Sequence, residues 1–129
     1  IAVTGSAGKT TTKELIAHLL AGPFEVYKTP GNFNSKIGLP LALANADERA
    51  DFWVFEVGAD RRGNIRELTQ ILKPTFAVLT SVSPSHLEGF GNFENLLCAK
   101  GEIFLPRSVK RAVFPKELLN CYRALLKER

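Results

Sequence analysis

Residues 1–14, IAVTGSAGKTTTKE, decide the fold. A short apolar run, Ile1 to Thr4, gives way to the turn Gly5-Ser6-Ala7-Gly8 and then to Lys9-Thr10, at the head of a stretch with helical spacing through Leu20. A strand, a glycine loop and a helix in that order make a phosphate cradle: the glycines let backbone N–H groups curl toward an anion, and the helix N-terminus adds positive potential. The usual pattern is G-x-x-x-x-G-K-[ST], and Val3 stands where its first glycine belongs. The string predicts that Gly5, Ser6, Ala7, Gly8, Lys9, Thr10 and Thr11 bind a nucleotide's phosphates, with Lys9 on the β/γ-phosphates and the Thr10 hydroxyl on Mg²⁺. A glycine-rich turn with a chance Lys-Thr is the alternative, and the strand before it and helix after it argue against that.

The same alternation continues along the chain. Strand-like runs at Ile1 to Thr4, Phe24 to Tyr27, Phe52 to Val57, Phe76 to Thr80 and Arg111 to Phe114 are separated by helical patterns. The helices are expected at Thr10 to Leu20, Ile37 to Leu43, Ile65 to Leu72, Phe93 to Phe104 and Glu117 to Lys127. About five β-α units predict an α/β three-layer sandwich around a mostly parallel sheet. Such sheets bind ligands at the carboxyl ends of their strands. That edge collects Gly5 to Gly8, Lys28 to Ser35, Glu56 to Gly63 and Ser81 to Asn92.

Four of these strings can carry chemistry. In DFWVFEVGA (51–59) the strand ends on Glu56, placed to bring a carboxylate to Mg²⁺ or else to face solvent. The loop TSVSPSHLEGFG (80–91) holds His86, an imidazole that could complete a mixed metal site also suited to Mn²⁺. TPGNFNSKIGLP (29–40) offers Gly31, Asn32 and Asn34, a turn whose amides can bond phosphate or metal-bound water. Lys100, in CAKGEIF (98–104), falls within a helix, where a solvated lysine is the ordinary reading. His18 reads as a helix-surface residue.

Composition excludes several classes. The chain has 129 residues, 45% hydrophobic and 23% charged, as an ordinary globular domain does. No apolar stretch is long enough to span a bilayer and no signal-peptide layout opens the chain, so a cytoplasmic address is expected. Net charge is +4, but Lys and Arg are scattered without an aromatic-basic motif, so nucleic acid is not the expected partner. Cys98 and Cys121 fit neither a metal nor a disulfide pattern and read as reduced structural thiols.

Together the strings TGSAGKTTTKEL, GNFNSKIGLPLAL, EVGADRRGNI and HLEGFGNFENLLCAKGEIF resemble, in order, segments of the central ATPase domain of the Mur ligases. The phosphate loop of that family reads roughly T-G-T/S-x-G-K-T-T and lacks the first glycine, so Val3 is in keeping with it. The strings are most similar to the branch that joins D-Ala-D-Ala to UDP-MurNAc-tripeptide. The resemblance implies ATP and two Mg²⁺ ions, with Thr10, Glu56 and His86 as metal residues and Lys9, Lys100, His86, Asn32 and Asn34 in catalysis. It also implies that Lys100 matches the lysine that is carbamylated in several Mur ligases, and that Asn32 and Asn34 approach the γ-phosphate and the reacting carboxylate. Ser81 and Ser85 depart from the family, where Asn and Asp are common in a T-N-x-x-x-D-H pattern. The N-terminal domain for the UDP-sugar and the C-terminal domain that helps hold ATP and the amine are expected elsewhere than in these residues. A folylpolyglutamate synthase, a P-loop kinase or GTPase, and a non-catalytic nucleotide-binding module are the competing functions.

Overall fold

The computed structural model describes residues 1–84 and 87–127. Ser85 and His86 therefore lie outside the described residues. Five strands form one parallel sheet: β1 (Ala2–Thr4), β2 (Val26–Lys28), β3 (Phe52–Glu56), β4 (Phe76–Leu79) and β5 (Arg111–Val113). Five helices alternate with them: α1 (Lys9–Leu20), α2 (Gly38–Ala44), α3 (Asn64–Leu72), α4 (Phe93–Gly101) and α5 (Leu119–Lys127). The expected α/β alternation is thus present throughout.

The spatial order is β2-β3-β1-β4-β5. In register, Val3 lies beside Glu56 on one side and Val78 on the other. The first strand is consequently central, and its loop emerges between the ends of β3 and β4. A parallel sheet covered on both faces needs apolar residues pointing both ways, and the strands supply them. Ala2, Phe55, Val57, Ala77 and Leu79 pack with Leu39 and Ala42 of α2, Ile65 and Leu68 of α3, and Ile103, Phe104 and Tyr122. Val3 and Val54 point the other way and pack with Ala17 of α1. Three layers result, with α1 on one face and α2, α3 and α5 on the other.

Two helices differ in detail from the sequence expectation. The stretch expected to be helical from Phe93 to Phe104 is α-helical only to Gly101 and tightens into a 3₁₀ turn at Glu102–Phe104. Glycine is a weak helix former, and the tighter turn buries Ile103 and Phe104 completely. The last helix is preceded by a 3₁₀ turn at Lys116–Leu118, directly after Pro115. Its Tyr122 is buried edge-on against Phe104 at 5.5 Å and Phe114 at 6.0 Å, and its hydroxyl donates to the Leu97 carbonyl at 2.8 Å. That packing fixes α5 against the α2/α3 face. Cys98 and Cys121 are free thiols but exposed, which corrects the expectation that they serve as structural thiols.

Candidate active site

The loop after β1 is held by its own glycines and by the residues that follow β4. Gly5 has φ 154°, and a Cβ there would stand 1.9 Å from Thr80 Oγ1, so only glycine lets β1 turn this close to the end of β4. Gly8, at φ 77°, precedes α1 as its N-cap. Between them the loop is bonded to the residues after β4. The Ser6 N–H donates to the Ser81 carbonyl at 2.9 Å, and the Ala7 N–H to Ser81 Oγ at 3.1 Å. Thr80 Oγ1 donates to the Ala7 carbonyl at 2.5 Å. Ser81, read from sequence only as a departure from a family pattern, is thus a buttress of the loop. Lys9 folds back so that Nζ donates to the Gly5 carbonyl at 3.0 Å.

Glu56 joins this loop to the next one. It ends β3 with only 2% of its surface exposed, and both carboxylate oxygens accept hydrogen bonds. Thr10 Oγ1 donates to Oε2 at 2.7 Å, and Asn34 Nδ2 donates to Oε1 at 2.7 Å. The solvent-facing alternative for Glu56 is excluded. Asn34 is further held where its carbonyl accepts the Gly58 N–H at 2.8 Å. Asn32 behaves differently: it is exposed on the turn, and its carbonyl accepts the Asn34 N–H at 2.7 Å. Of the two asparagines, Asn34 is the one whose side chain the fold brings to the carboxylate. Thr11 is exposed on α1, and His18 is an exposed helix residue as expected.

A cleft of about 970 Å³ opens from this point, lined among others by Gly5, Lys9, Asn34, Lys36, Arg61 and Lys100. Lys100 is only 4% exposed, so the solvated reading fails. Burial, and secondarily the positive charge of Lys9, pushes its pKa down to about 8. The shift raises the share of unprotonated amine near neutral pH well above that of a free lysine.

The oxygen donors suit a hard divalent cation. The Thr10 hydroxyl and a Glu56 oxygen are 2.7 Å apart, close to the roughly 2.9 Å separation that adjacent ligands of an octahedral Mg²⁺ require. Among the described residues no group of three His, Cys, Asp or Glu side chains could hold a metal, and His86 lies outside those residues.

The middle domain of the Mur ligases matches residues 3–122. The chain belongs to the Mur ligase family. It is 41% identical over 126 residues to the UDP-N-acetylmuramoyl-tripeptide–D-alanyl-D-alanine ligase of Rickettsia prowazekii, covering 98% of this chain and 28% of that protein. The ligase of the same name from Bacillus subtilis is 43% identical over 103 residues, 80% of this chain and 22% of the relative. Among solved structures, MurF ligase from Thermotoga maritima in complex with ADP superposes with a TM-score of 0.86 at 39% identity, over 98% of this chain and 30% of that one. The chain therefore spans less than a third of the length of these Mur ligases.

Three contributors escaped the sequence reading. Glu102 is buried, and its carboxylate accepts the N–H groups of Gly63 at 2.7 Å and Arg66 at 3.0 Å, capping α3 from the turn that follows Lys100. Thr29 is buried and its hydroxyl accepts the Glu56 N–H at 3.1 Å. Lys13 is completely buried beside the loop that carries Asn34. Its four-residue spacing from Lys9 puts both on one helix face, which by itself does not tell a buried lysine from an exposed one.

Proposed function

We propose that this domain binds ATP with Mg²⁺ and activates the terminal carboxylate of UDP-MurNAc-tripeptide for attack by D-Ala-D-Ala, as part of an amide-forming ligase of cell-wall precursor synthesis. The observation that carries the reading is Glu56 held between Thr10 and Asn34, with Lys9 and a buried Lys100 lining the cleft that Asn34 also lines. A kinase or GTPase has no need of that second cation or of an amide loop tied to the metal carboxylate. The relatives' shared name supports the substrates.

A carboxylate is a poor electrophile because its oxygen is a poor leaving group. In the proposed reaction a carboxylate oxygen attacks the γ-phosphorus and the bond to the β-phosphate oxygen breaks, giving ADP and an acyl phosphate. The amine then attacks the acyl carbon, phosphate leaves with that carboxylate oxygen, and the amine's proton is lost. Lys9 exchanges the Gly5 carbonyl for phosphate oxygens and offsets the charge developing on them. Asn34, and Asn32 once the turn closes on substrate, orient the incoming carboxylate. Gly5, Ser6, Ala7, Gly8 and Thr11 supply the loop around the phosphates.

Thr10 and Glu56 would hold one Mg²⁺, whose chemistry is to neutralise charge on the transferred phosphoryl group; His86 is assigned to a second ion by resemblance, and Mn²⁺ suits the same donors. Lys100 in its amine form can add CO₂ to give a carbamate and a proton, replacing a cation with an anion near that second site. Mass spectrometry under bicarbonate showing only free amine at Lys100 would count against this. The ATP and UDP-linked substrates put the reaction in the cytoplasm, with the UDP-sugar and C-terminal domains as its structural partners.

The test is calorimetry with ATP and Mg²⁺ on these 129 residues, together with phosphate release by the full-length ligase given both substrates. Binding by the domain and release that requires both substrates are expected. Binding without any release by the full-length protein would leave a nucleotide-binding module instead.

A further inference from the structure

Lys13 is the most deeply buried cation in the described structure, at 0% exposure. A lysine loses several kcal/mol of hydration on burial and is tolerated only where its donors are met. Here all three are met. Nζ donates to the Thr29 carbonyl at 2.7 Å and the Gly31 carbonyl at 3.2 Å, and Glu14 Oε1 lies 3.1 Å away. Glu14 is itself paired with Lys28 at the end of β2, and these two lysines, Lys28 first, draw its pKa down.

The placement of these partners matters more than their number. Thr29 and Gly31 begin the loop that presents Asn34, and the Thr29 hydroxyl also accepts the N–H of Glu56. Lys9, Thr10 and Lys13 occupy the first turn and a half of one helix. Lys9 reaches the phosphate loop, Thr10 the carboxylate, and Lys13 the base of the acceptor loop. The loop is also tied at its start by the Thr29 N–H to the Val54 carbonyl at 3.0 Å, at Asn34 through Glu56 and Gly58, and at Lys36 by an ion pair with Glu67. Its far side, Asn32 to Lys36, is largely exposed.

We propose that Lys13 is a positioning residue: its ammonium, clamped on the Thr29 and Gly31 carbonyls, sets the distance between the phosphate loop and Asn34, and so aligns the substrate carboxylate with the γ-phosphate. The proposal rests on the function given above. It assigns Lys13 no contact with ATP or substrate, so its loss should spare nucleotide binding and fall on the alignment of the reactants. Misalignment by about an ångström can cost about a hundredfold in rate.

The experiment is a double-mutant cycle in the full-length ligase with Lys13→Met, Asn34→Ala and both, measuring ADP affinity, KM for the tripeptide substrate and kcat. Lys13→Met should leave ADP affinity within about threefold and lower kcat/KM for the tripeptide at least about tenfold. In the Asn34→Ala background the same change should cost less than about twofold, because the group being aligned is already gone. Equal losses of ADP affinity and kcat/KM, or an undiminished cost in the Asn34→Ala background, would overturn the proposal and leave Lys13 a general support of the fold. If Lys13→Met does not fold, Lys13→Arg keeps the charge and donors but displaces them. It should bind ADP normally and turn over at least about fivefold more slowly, and wild-type turnover would refute the clamp. Failure of the wild-type ligase to release phosphate in the same assay would instead count against the function itself.

Discussion

The two loops that meet at Glu56 are built by different means. The phosphate loop, 5–8, is fixed from one segment, the residues after β4: by a glycine that approaches Thr80, by bonds to the Ser81 carbonyl and hydroxyl, and by a helix that begins immediately after it. The acceptor loop, 29–37, is held from several elements: by main-chain bonds of Thr29 to Val54 and of Gly58 to Asn34, and by side chains, Lys13 from α1, Glu56 from β3 and Glu67 from α3. A phosphate chain presents similar oxygens in every nucleotide, so a rigid, preformed cradle serves it. In the proposed reaction an acceptor carboxylate is brought to the phosphate, and side-chain ties from several elements let a loop be aimed at one substrate.

The largest effect should come from the phosphate loop. Lys9→Ala in the full-length ligase should lower activity by at least about a hundredfold and weaken ATP binding in calorimetry; near-normal turnover would remove the loop from the chemistry. Gly5→Ala should follow, since its methyl would meet Thr80 Oγ1 at 1.9 Å and the Ser81 N–H at 3.1 Å. Overpacking of this kind costs about 1–3 kcal/mol, seen as a lower urea midpoint and about tenfold weaker nucleotide binding. Wild-type values for both would show that the loop is not preformed by this contact.

A graded effect belongs to Lys100, which faces both loops. Its folded pKa is pushed down to about 8 from the ordinary 10.5, so between those values the unfolded chain holds more protons than the folded one. In the absence of nucleotide and CO₂, stability of the wild type should therefore rise relative to Lys100→Met as pH climbs from about 8 toward 10.5. Below about 8 the difference should be flat. A gap that is constant across the whole range in urea titrations would mean the amine is not desolvated. The smallest effect should be Ser81→Ala, which removes one hydroxyl from the phosphate-loop buttress and should cost about 1 kcal/mol in the urea midpoint.

The same contrast explains what could be read from the sequence. The phosphate loop declared itself because its requirements are local: two glycines three positions apart, a lysine and a hydroxyl between a strand and a helix. Glu56 was legible because it ends an apolar run that had to be a buried strand. Asn34 and Asn32 looked equivalent on a flexible turn, and only the approach of β3 selected Asn34. Lys13, Glu102 and the burial of Lys100 were not legible, since each depends on a contact across at least 16 residues of chain or on helices closing over it. A charged side chain at helical spacing looks the same in a sequence whether it meets water or a carbonyl.

The central claim is that the carboxyl edge transfers a phosphoryl group to a carboxylate. It is tested most directly by giving the full-length ligase a tripeptide substrate labelled with ¹⁸O in its terminal carboxylate, and measuring the label in the phosphate released. An acyl phosphate requires one carboxylate oxygen to leave with each phosphate, so labelled phosphate should appear in step with product. Phosphate free of label would contradict the account.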